Sequence, residues 1–158
     1  TTNLIGNGAH ALLRHPDQLA RWHADPSLTP SAVEELLRYD PMAQFISRVA
    51  THETDVGGHR FYSGDHVILA LGAANRDPER FPNPDRLDLG RNDGFHLTFA
   101  YGVHHCLGAA LARLEGQVAL GSLVGRFPHM HLLTTDIRYR DHLTMRGLIE
   151  LRIAVRRP

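Results

Sequence analysis

The ten residues from Phe99 to Gly108, FAYGVHHCLG, carry the side chains with the clearest potential for chemistry. Cys106 is the only cysteine of the chain, and the apolar positions after it predict a helix that begins at Leu107. The unpaired N–H groups and the dipole at a helix N-terminus both stabilise a thiolate. Gly102 and Gly108 have no side chains, so a flat, bulky group can approach the backbone on either side of the thiol. This combination suits a sulfur ligand of iron.

Three interpretations of Cys106 stay open at this point. The thiol is a buried structural group, a nucleophile with His104 or His105 as its base, or the ligand of a haem iron. A zinc site is disfavoured, because three consecutive side chains seldom converge on one tetrahedral ion. The 12 histidines are scattered along the chain without a ligand spacing such as H-E-x-x-H, which also disfavours a histidine-rich metal site.

Helices and short strands must position this segment. The spacing of apolar residues predicts helices over Thr1–Leu13, Pro16–His23, the segment from Thr29 to the residue before Pro41, and Leu107–Phe127. Strand patterns cover Gln44–Thr51, Arg60–Phe61, and His66–Leu71, which is expected to be buried. Arg76–Gly94 contains three prolines and predicts a long ordered coil, a kind of segment that is often functional. The tail His131–Val155 predicts two or three short strands, and the predicted buried side of the last helix consists of Leu111, Leu114, Val118, Leu123 and Val124.

Composition narrows the function classes. The 158 residues include 17 Lys plus Arg and 17 Asp plus Glu, so the formal charge is zero and a nucleic-acid-binding protein is disfavoured. Hydrophobic residues at 42% and charged residues at 22% are typical of one folded domain rather than a disordered chain. The longest apolar stretch, Val67–Ala74, is too short to span a bilayer, and no signal segment opens the chain. We therefore expect a cytoplasmic protein without a membrane partner. A single cysteine excludes an internal disulfide and a multi-cysteine cluster.

The segment around the cysteine has a family resemblance. The pattern Phe99-x-x-Gly102-x-His104-x-Cys106-x-Gly108 resembles the cysteine-ligand loop of the cytochromes P450. The continuation AALARLE over 109–115 is similar to the helix that follows the ligand in soluble bacterial members, although Ala110 stands where the family usually has proline. The resemblance implies that Cys106 is the iron ligand and that the other residues of the pattern form the cofactor-binding loop.

Two charged residues on one helix face match a second motif. Glu35 and Arg38 are three residues apart, which by itself usually means a solvated surface pair. Beside the cysteine loop, they resemble the ExxR motif, whose members meet a further arginine from the coil before that loop. Asn83-Pro84-Asp85-Arg86 is similar to that coil, so Arg86 is the predicted third member of a buried structural network that pins the coil.

Four further residues acquire roles by resemblance. Arg48, in Ser47-Arg48-Val49-Ala50, resembles an arginine that contacts a haem propionate, and His104 resembles the second propionate contact. Thr1 resembles the threonine that helps to deliver protons to bound dioxygen, and is the predicted catalytic residue. By residue chemistry alone, Arg48 is a strand-surface charge and Thr1 is a polar helix end or a terminal nucleophile. Arg113, one turn past the ligand, is a candidate for the surface that faces an electron donor.

The resemblance covers nearly the whole chain and implies a mainly α fold with small β-sheets (α+β), the C-terminal half of the P450 fold. In family terms the segments are the end of the central oxygen-activating helix (1–14), the ExxR helix (30–39), β segments (44–72), the meander and cysteine loop (76–108), the proximal helix (107–127) and C-terminal β segments (131–156).

The activity implied by the resemblance is that of a haem-thiolate monooxygenase. Such an enzyme carries haem b, takes electrons from a ferredoxin or flavodoxin, and inserts one oxygen atom of dioxygen into a small organic substrate. A complete P450 is more than twice as long as this chain, so we expect a missing N-terminal half or self-association to complete the site. The alternative is a truncated, haem-free fragment that acts as an interaction module or a vestigial scaffold.

Overall fold

Helices form the larger part of the regular secondary structure, and the computed structural model describes residues 1–133 and 135–155. The helices are α1 (Thr2–Arg14), α2 (Pro16–Ala24), α3 (Thr29–Tyr39), α4 (Leu71–Ala74) and α5 (Ala109–Arg126), with short 3-10 turns at Pro26–Leu28 and Gly102–His104. The strands are β1 (Ile46–Val49), β2 (Thr54–Val56), β3 (His59–Phe61), β4 (His66–Leu69), β5 (His131–Leu132) and β6 (Ile153–Ala154). The four predicted helices are confirmed within one or two residues at each end.

The hydrophobic core lies where α1, α3 and α5 pack against one another. Leu12, Leu37 and Leu120 are fully buried there, because each helix turns an apolar face toward the other two. Gly116 allows α5 to approach closely: a Cβ at this position would lie 2.9 Å from Leu4 Cδ2. Close helix packing therefore depends on a missing side chain as well as on the leucines.

The predicted buried side of α5 is correct only at its C-terminal end, where Val124 is buried and Leu123 packs against the core. Leu111, Leu114 and Val118 are more than half exposed, whereas the buried positions are Ala109, Gly116, Leu120 and Val124. Apolar residues surround this helix on most sides, so their spacing does not select one face. The contact with α1 and α3 selects it instead, because only the side that carries the small residues fits between them.

Three two-stranded antiparallel sheets complete the described part of the fold. β1 pairs with β4, so that Arg48 lies opposite Val67, while β2 pairs with β3 and β5 pairs with β6. The expectation of a buried strand over His66–Leu71 is wrong, because β4 ends at Leu69 and the Ile68 side chain is 71% exposed. Among the described residues β4 pairs with β1 alone, so this two-stranded sheet covers little apolar surface.

The expected fold class, mainly α with small β-sheets, is confirmed. The predicted C-terminal β segments are β5, β6 and an isolated bridge between Tyr139 and Leu148, whereas residues 134 and 156 of that prediction lie outside the described residues. In the described part of the chain, no helix has the length and hydrophobicity that crossing a membrane requires.

Candidate functional site

Cys106 lies in the short segment between the Gly102–His104 3-10 turn and α5, and it is exposed. Its backbone is held on both sides. The Cys106 N–H donates to the Phe99 carbonyl at 2.9 Å, and the carbonyl of Cys106 accepts a hydrogen bond from the Ala109 N–H at 3.2 Å. The thiol itself is left accessible. This arrangement rules out the interpretation of Cys106 as a buried structural cysteine.

The backbone before Cys106 has an unusual conformation. Gly102 has a φ of +72°, a value that glycine adopts without strain, and a Cβ there would meet nothing within 4 Å. Ala100 has a φ of +59°, which is uncommon for a residue with a side chain. A Cβ at Gly108 would contact only the Cys106 Sγ, at 4.0 Å. The space next to the thiol is therefore open at Gly108, and the backbone at Gly102 is unobstructed as well.

A cavity of about 590 Å³ lies at this thiol. It brings together six of the predicted site residues, namely Thr1, Arg48, Phe99, His104, Cys106 and Gly108. The remaining wall is largely apolar, with Met42, Ile46, Leu71, Leu111 and Met145 among its residues. A neighbouring cavity of about 390 Å³ shares Arg48 and His104 with the first, so these two side chains stand where the two spaces meet. The size and the mostly apolar lining are typical of a cofactor site.

The chemistry of this lining suits a flat apolar group with acidic substituents. One thiol is available as a metal ligand, and the apolar wall can cover a macrocycle. The guanidinium of Arg48 and the imidazole of His104 can hydrogen-bond to carboxylates. A nucleophilic Cys–His pair has no comparable support, because His105 hydrogen-bonds to the Ala100 carbonyl and the cavity lining contains no carboxylate to orient a histidine base.

Another cavity, of about 430 Å³, lies between the C-terminal ends of α1 and α3 and contains no thiol. Its lining is mostly polar and includes His10, Arg14, Asp40, Arg76 and Arg146. None of the residues predicted for chemistry lines it.

Glu35 and Arg38 form a buried ion pair. Arg38 donates from Nε to Glu35 Oε2 at 2.7 Å and from Nη2 to Oε1 at 2.9 Å, and both side chains are at most 2% exposed. The charge spacing alone would indicate a solvated surface pair, and the burial of both side chains excludes that interpretation. Arg38 also donates from Nη1 to the carbonyls of Asn75 and Pro84, at 2.8 and 2.9 Å. It thus joins α3 to the coil before the cysteine loop.

The third member of this network is Arg91, and the prediction of Arg86 is wrong. Arg91 Nε lies 3.2 Å from Glu35 Oε1, whereas Arg86 contributes only its backbone carbonyl, which accepts from Arg38 and Arg91. Because the carbonyl of Arg86 faces the network, its side chain projects outward and is exposed. Burial by itself lowers the pKa of Arg91, but the charges and hydrogen bonds of Glu35 and Asp93 together outweigh it and raise the pKa. Arg91 is therefore held in its charged form.

Asn75 is a buried residue that the sequence did not single out as part of the site. Its Nδ2 donates to Thr98 Oγ1 at 2.9 Å, and its Oδ1 accepts from the Leu97 N–H at 2.7 Å. Thr98 in turn donates to the Leu37 carbonyl of α3 at 2.7 Å. Asn75 therefore fixes the chain directly before the cysteine loop.

Arg113 is not a free surface charge. It donates from Nε and Nη2 to the two carboxylate oxygens of Glu34, at 2.7 and 3.1 Å, and its side chain is 32% exposed. The expectation that Arg113 belongs to a surface facing an electron donor is not supported by this geometry.

Comparison with known proteins identifies many similar chains. The sequence model of the family described as "Cytochrome P450" matches residues 23–154. The "Biotin biosynthesis cytochrome P450" of Bacillus subtilis strain 168 is 46% identical over 151 residues, which are 96% of this chain and 38% of that protein. The "6-deoxyerythronolide B hydroxylase" of Saccharopolyspora erythraea is 46% identical over 153 residues, with the same two shares.

Solved structures agree. The crystal structure of P450BioI in complex with hexadec-9Z-enoic acid ligated acyl carrier protein gives a TM-score of 0.94 at 44% identity, over 98% of this chain and 40% of that one. The tirandamycin C-bound P450 monooxygenase TamI gives 0.92 at 44% identity, over 98% and 39%. The chain therefore spans about two fifths of the length of the relatives that it matches.

Proposed function

The chain belongs to the cytochrome P450 family, and we propose that it forms the haem-ligating portion of a monooxygenase, with Cys106 as the thiolate ligand of the iron. The family predicted from the cysteine loop is thus confirmed. The observation that carries the proposal is the accessible Cys106 thiol in a largely apolar cavity that Arg48 and His104 also line. Named relatives are a hydroxylase and a monooxygenase, which supports the class of enzyme.

The residues of the cavity fit haem b. Cys106 supplies the metal ligand, and Arg48 and His104 are the partners that we assign to the two propionates. Gly108 lines the cavity and leaves the space next to the ligand open, so the macrocycle can approach the backbone there, whereas Gly102 is not among the residues that line the cavity. Haem bound through a thiolate activates dioxygen, because electron donation from sulfur favours cleavage of the O–O bond. The protein contributes ligation, orientation and the exclusion of water.

We assign Thr1 to proton handling. It precedes the first turn of α1 and lines the cavity, and a hydroxyl both donates and accepts hydrogen bonds. A threonine at this wall can therefore hold a proton or a water close to the reacting centre.

The partners of the reaction are proposals that rest on the family. We propose a small organic substrate and an electron donor of the ferredoxin or flavodoxin type. Further polypeptide, or a second copy of the chain, would cover the face of the haem that these residues leave open. A cytoplasmic location stays a prediction.

The test of the function is a carbon monoxide difference spectrum of the reduced protein after reconstitution with haem. A red-shifted, thiolate-type Soret band is expected, and it should vanish in Cys106→Ala while haem-free Cys106→Ala stays folded. His104→Ala should weaken haem retention by about tenfold, as expected for one lost charge-assisted hydrogen bond. His129→Ala is the matched control, since His129 is exposed and does not line the cavity, and it should retain haem normally. Folded protein that takes up no haem would overturn the proposal and favour a haem-free scaffold.

A further inference from the structure

Two consecutive glutamates on α3 serve different parts of the molecule. Glu35 binds Arg38 and Arg91 in the buried network described above. Glu34 points to the other side, where its carboxylate meets Arg113 on α5 and His96 on the segment before the cysteine loop. We call Glu34, His96 and Arg113 the loop clamp. Because His96 precedes the loop and Arg113 follows it, one carboxylate joins both ends of the segment that carries Cys106.

His96 depends on Glu34 for a hydrogen-bond acceptor. The Thr98 N–H donates to His96 Nδ1 at 3.2 Å, which leaves the proton of the neutral ring on Nε2. That Nε2 is buried and lies 3.3 Å from Glu34 Oε2, and it has no well-aligned hydrogen bond, to Glu34 or to any other residue, among residues 1–133 and 135–155. Without Glu34, a buried N–H group would lose the one acceptor within reach.

The loop clamp reaches Cys106 through Phe99. The Arg113 guanidinium carbon lies 4.7 Å from the centre of the Phe99 ring, and the His96 ring centre lies 5.9 Å from it. Phe99 is only 6% exposed, so its position is determined by these neighbours. Its carbonyl accepts the Cys106 N–H at 2.9 Å. A shift of Phe99 therefore moves the backbone that presents the thiol.

We propose that Glu34 is a positioning residue for the iron ligand, which it holds in place by clamping His96 and Arg113 across Phe99. This inference rests on the proposed function, since a ligand loop needs a fixed geometry only if it binds iron. Glu34 touches neither Cys106 nor the cavity, so it acts through the loop and not on the reacting atoms.

The role of Glu34 differs from that of Glu35. Loss of Glu35 leaves two buried arginines without their common partner and destabilises the whole fold. Glu34 is 41% exposed, and its loss affects the loop while the α1–α3–α5 core remains intact. The clamp therefore predicts a local defect.

The first measurement uses the haem-free protein and amide hydrogen exchange. In Glu34→Ala, exchange at the Cys106 amide should rise about tenfold, the order expected when a buried donor loses its acceptor. Amides of Leu36 and Leu37 in the core should be unchanged. Glu115→Ala is the matched control, because Glu115 is exposed on α5 and no ion pair joins it to another described residue. Unchanged exchange at Cys106, or an equal rise in the core, would overturn the clamp.

The second measurement uses the haem-loaded protein. Part of the carbon monoxide complex is expected to lack the thiolate-type band, and Glu34→Ala should raise this fraction several-fold. Loss of a residue that orients a metal ligand has effects of about this order or larger. Arg113→Lys keeps the charge but loses the two-point contact, so it should fall between the native protein and Arg113→Ala. Equal band loss in Glu34→Ala and Glu115→Ala would contradict the proposal. If no haem is taken up at all, the proposed function fails, whereas the exchange measurement still decides whether the clamp exists.

Discussion

Replacement of Arg91 tests the buried network, and Arg86 provides the matched control. Both arginines lie in the same coil, five residues apart, and both contact the buried network. Arg86 does so through its backbone carbonyl, which accepts from Arg38, and Arg91 through its side chain, which pairs with Glu35. Only Arg91 places its guanidinium on the Glu35 carboxylate. Arg91→Ala and Arg86→Ala therefore remove the same charge from the same segment, but only the first removes a buried ion pair.

The expected magnitude follows from the contacts of Arg91. Its Nε meets Glu35 at 3.2 Å, and its Nη1 donates to Asp93 at 2.6 Å and to the Pro82 carbonyl at 2.9 Å. The side chains of Arg91 and Glu35 are 9% and 1% exposed, so solvent screens this pair little. Removal of one partner of a buried pair costs about 3–5 kcal/mol when the other charge is left alone. Here Arg38 still neutralises Glu35, so we expect a loss of about 2–3 kcal/mol in the free energy of unfolding.

The assay is equilibrium urea denaturation followed by circular dichroism. Arg86→Ala should change the free energy of unfolding by less than about 0.5 kcal/mol, as is usual for an exposed side chain without a partner in the core. The matched charge of the two variants removes any effect of net charge. Equal losses in the two variants, or a larger loss in Arg86→Ala, would refute the assignment of Arg91 to the network.

Two further predictions concern stability. The pKa of Glu34 is raised by burial, but the hydrogen bonds of His96 and Arg113 and the charge of Arg113 outweigh this and lower it to about 2. The stability that Glu34 contributes is therefore fully present above its ordinary pKa of 4.5 and is lost as pH falls toward 2. Because Glu34 is 41% exposed, solvent screening reduces this contribution to roughly 1 kcal/mol. The free energy of unfolding, measured against pH for the native protein and for Glu34→Gln, should show the difference. Gly116→Ala should lower the free energy of unfolding by about 1–3 kcal/mol, because its Cβ would lie 2.9 Å from Leu4. Gly125→Ala, whose Cβ meets open space in the same helix, should raise it by up to about 1 kcal/mol in the same denaturation assay, and a loss in both variants would contradict the packing argument.

Local sequence patterns predicted the parts of the site that depend on neighbouring residues. The types and spacing around Cys106 predicted a cysteine directly before a helix with glycines on both sides, since glycines and a helix start act over a few residues. The exposure of the thiol came from the structure. Six of the predicted residues then line one cavity, although Thr1 and Arg48 are distant from Cys106 in sequence. The family resemblance supplied that part, because apolar periodicity does not predict which loops meet.

The errors arose where packing decides between equivalent residues. Arg86 and Arg91 are both arginines in an irregular coil, and no period tells which side chain turns inward. The direction depends on Arg38, whose donors attract the carbonyls of Pro84 and Arg86 and so orient the coil. Most of the buried face of α5 was mistaken for a similar reason, since a helix that is apolar on most sides takes its orientation from its neighbours.

The division of labour between Glu34 and Glu35 shows why α3 matters to the candidate site. A helix that only supplied the buried network would need one acidic residue, yet the second one forms the contacts closest to the cysteine loop. Adjacent residues on a helix point about 100° apart, so the pair reaches the coil before the loop on one side and both ends of the loop on the other. Variants of Glu35 should then lose folded protein, while variants of Glu34 should keep the fold and lose the position of the thiol. Both residues belong to α3, so this contrast would show that one helix stabilises the fold through Glu35 and positions the cysteine through Glu34.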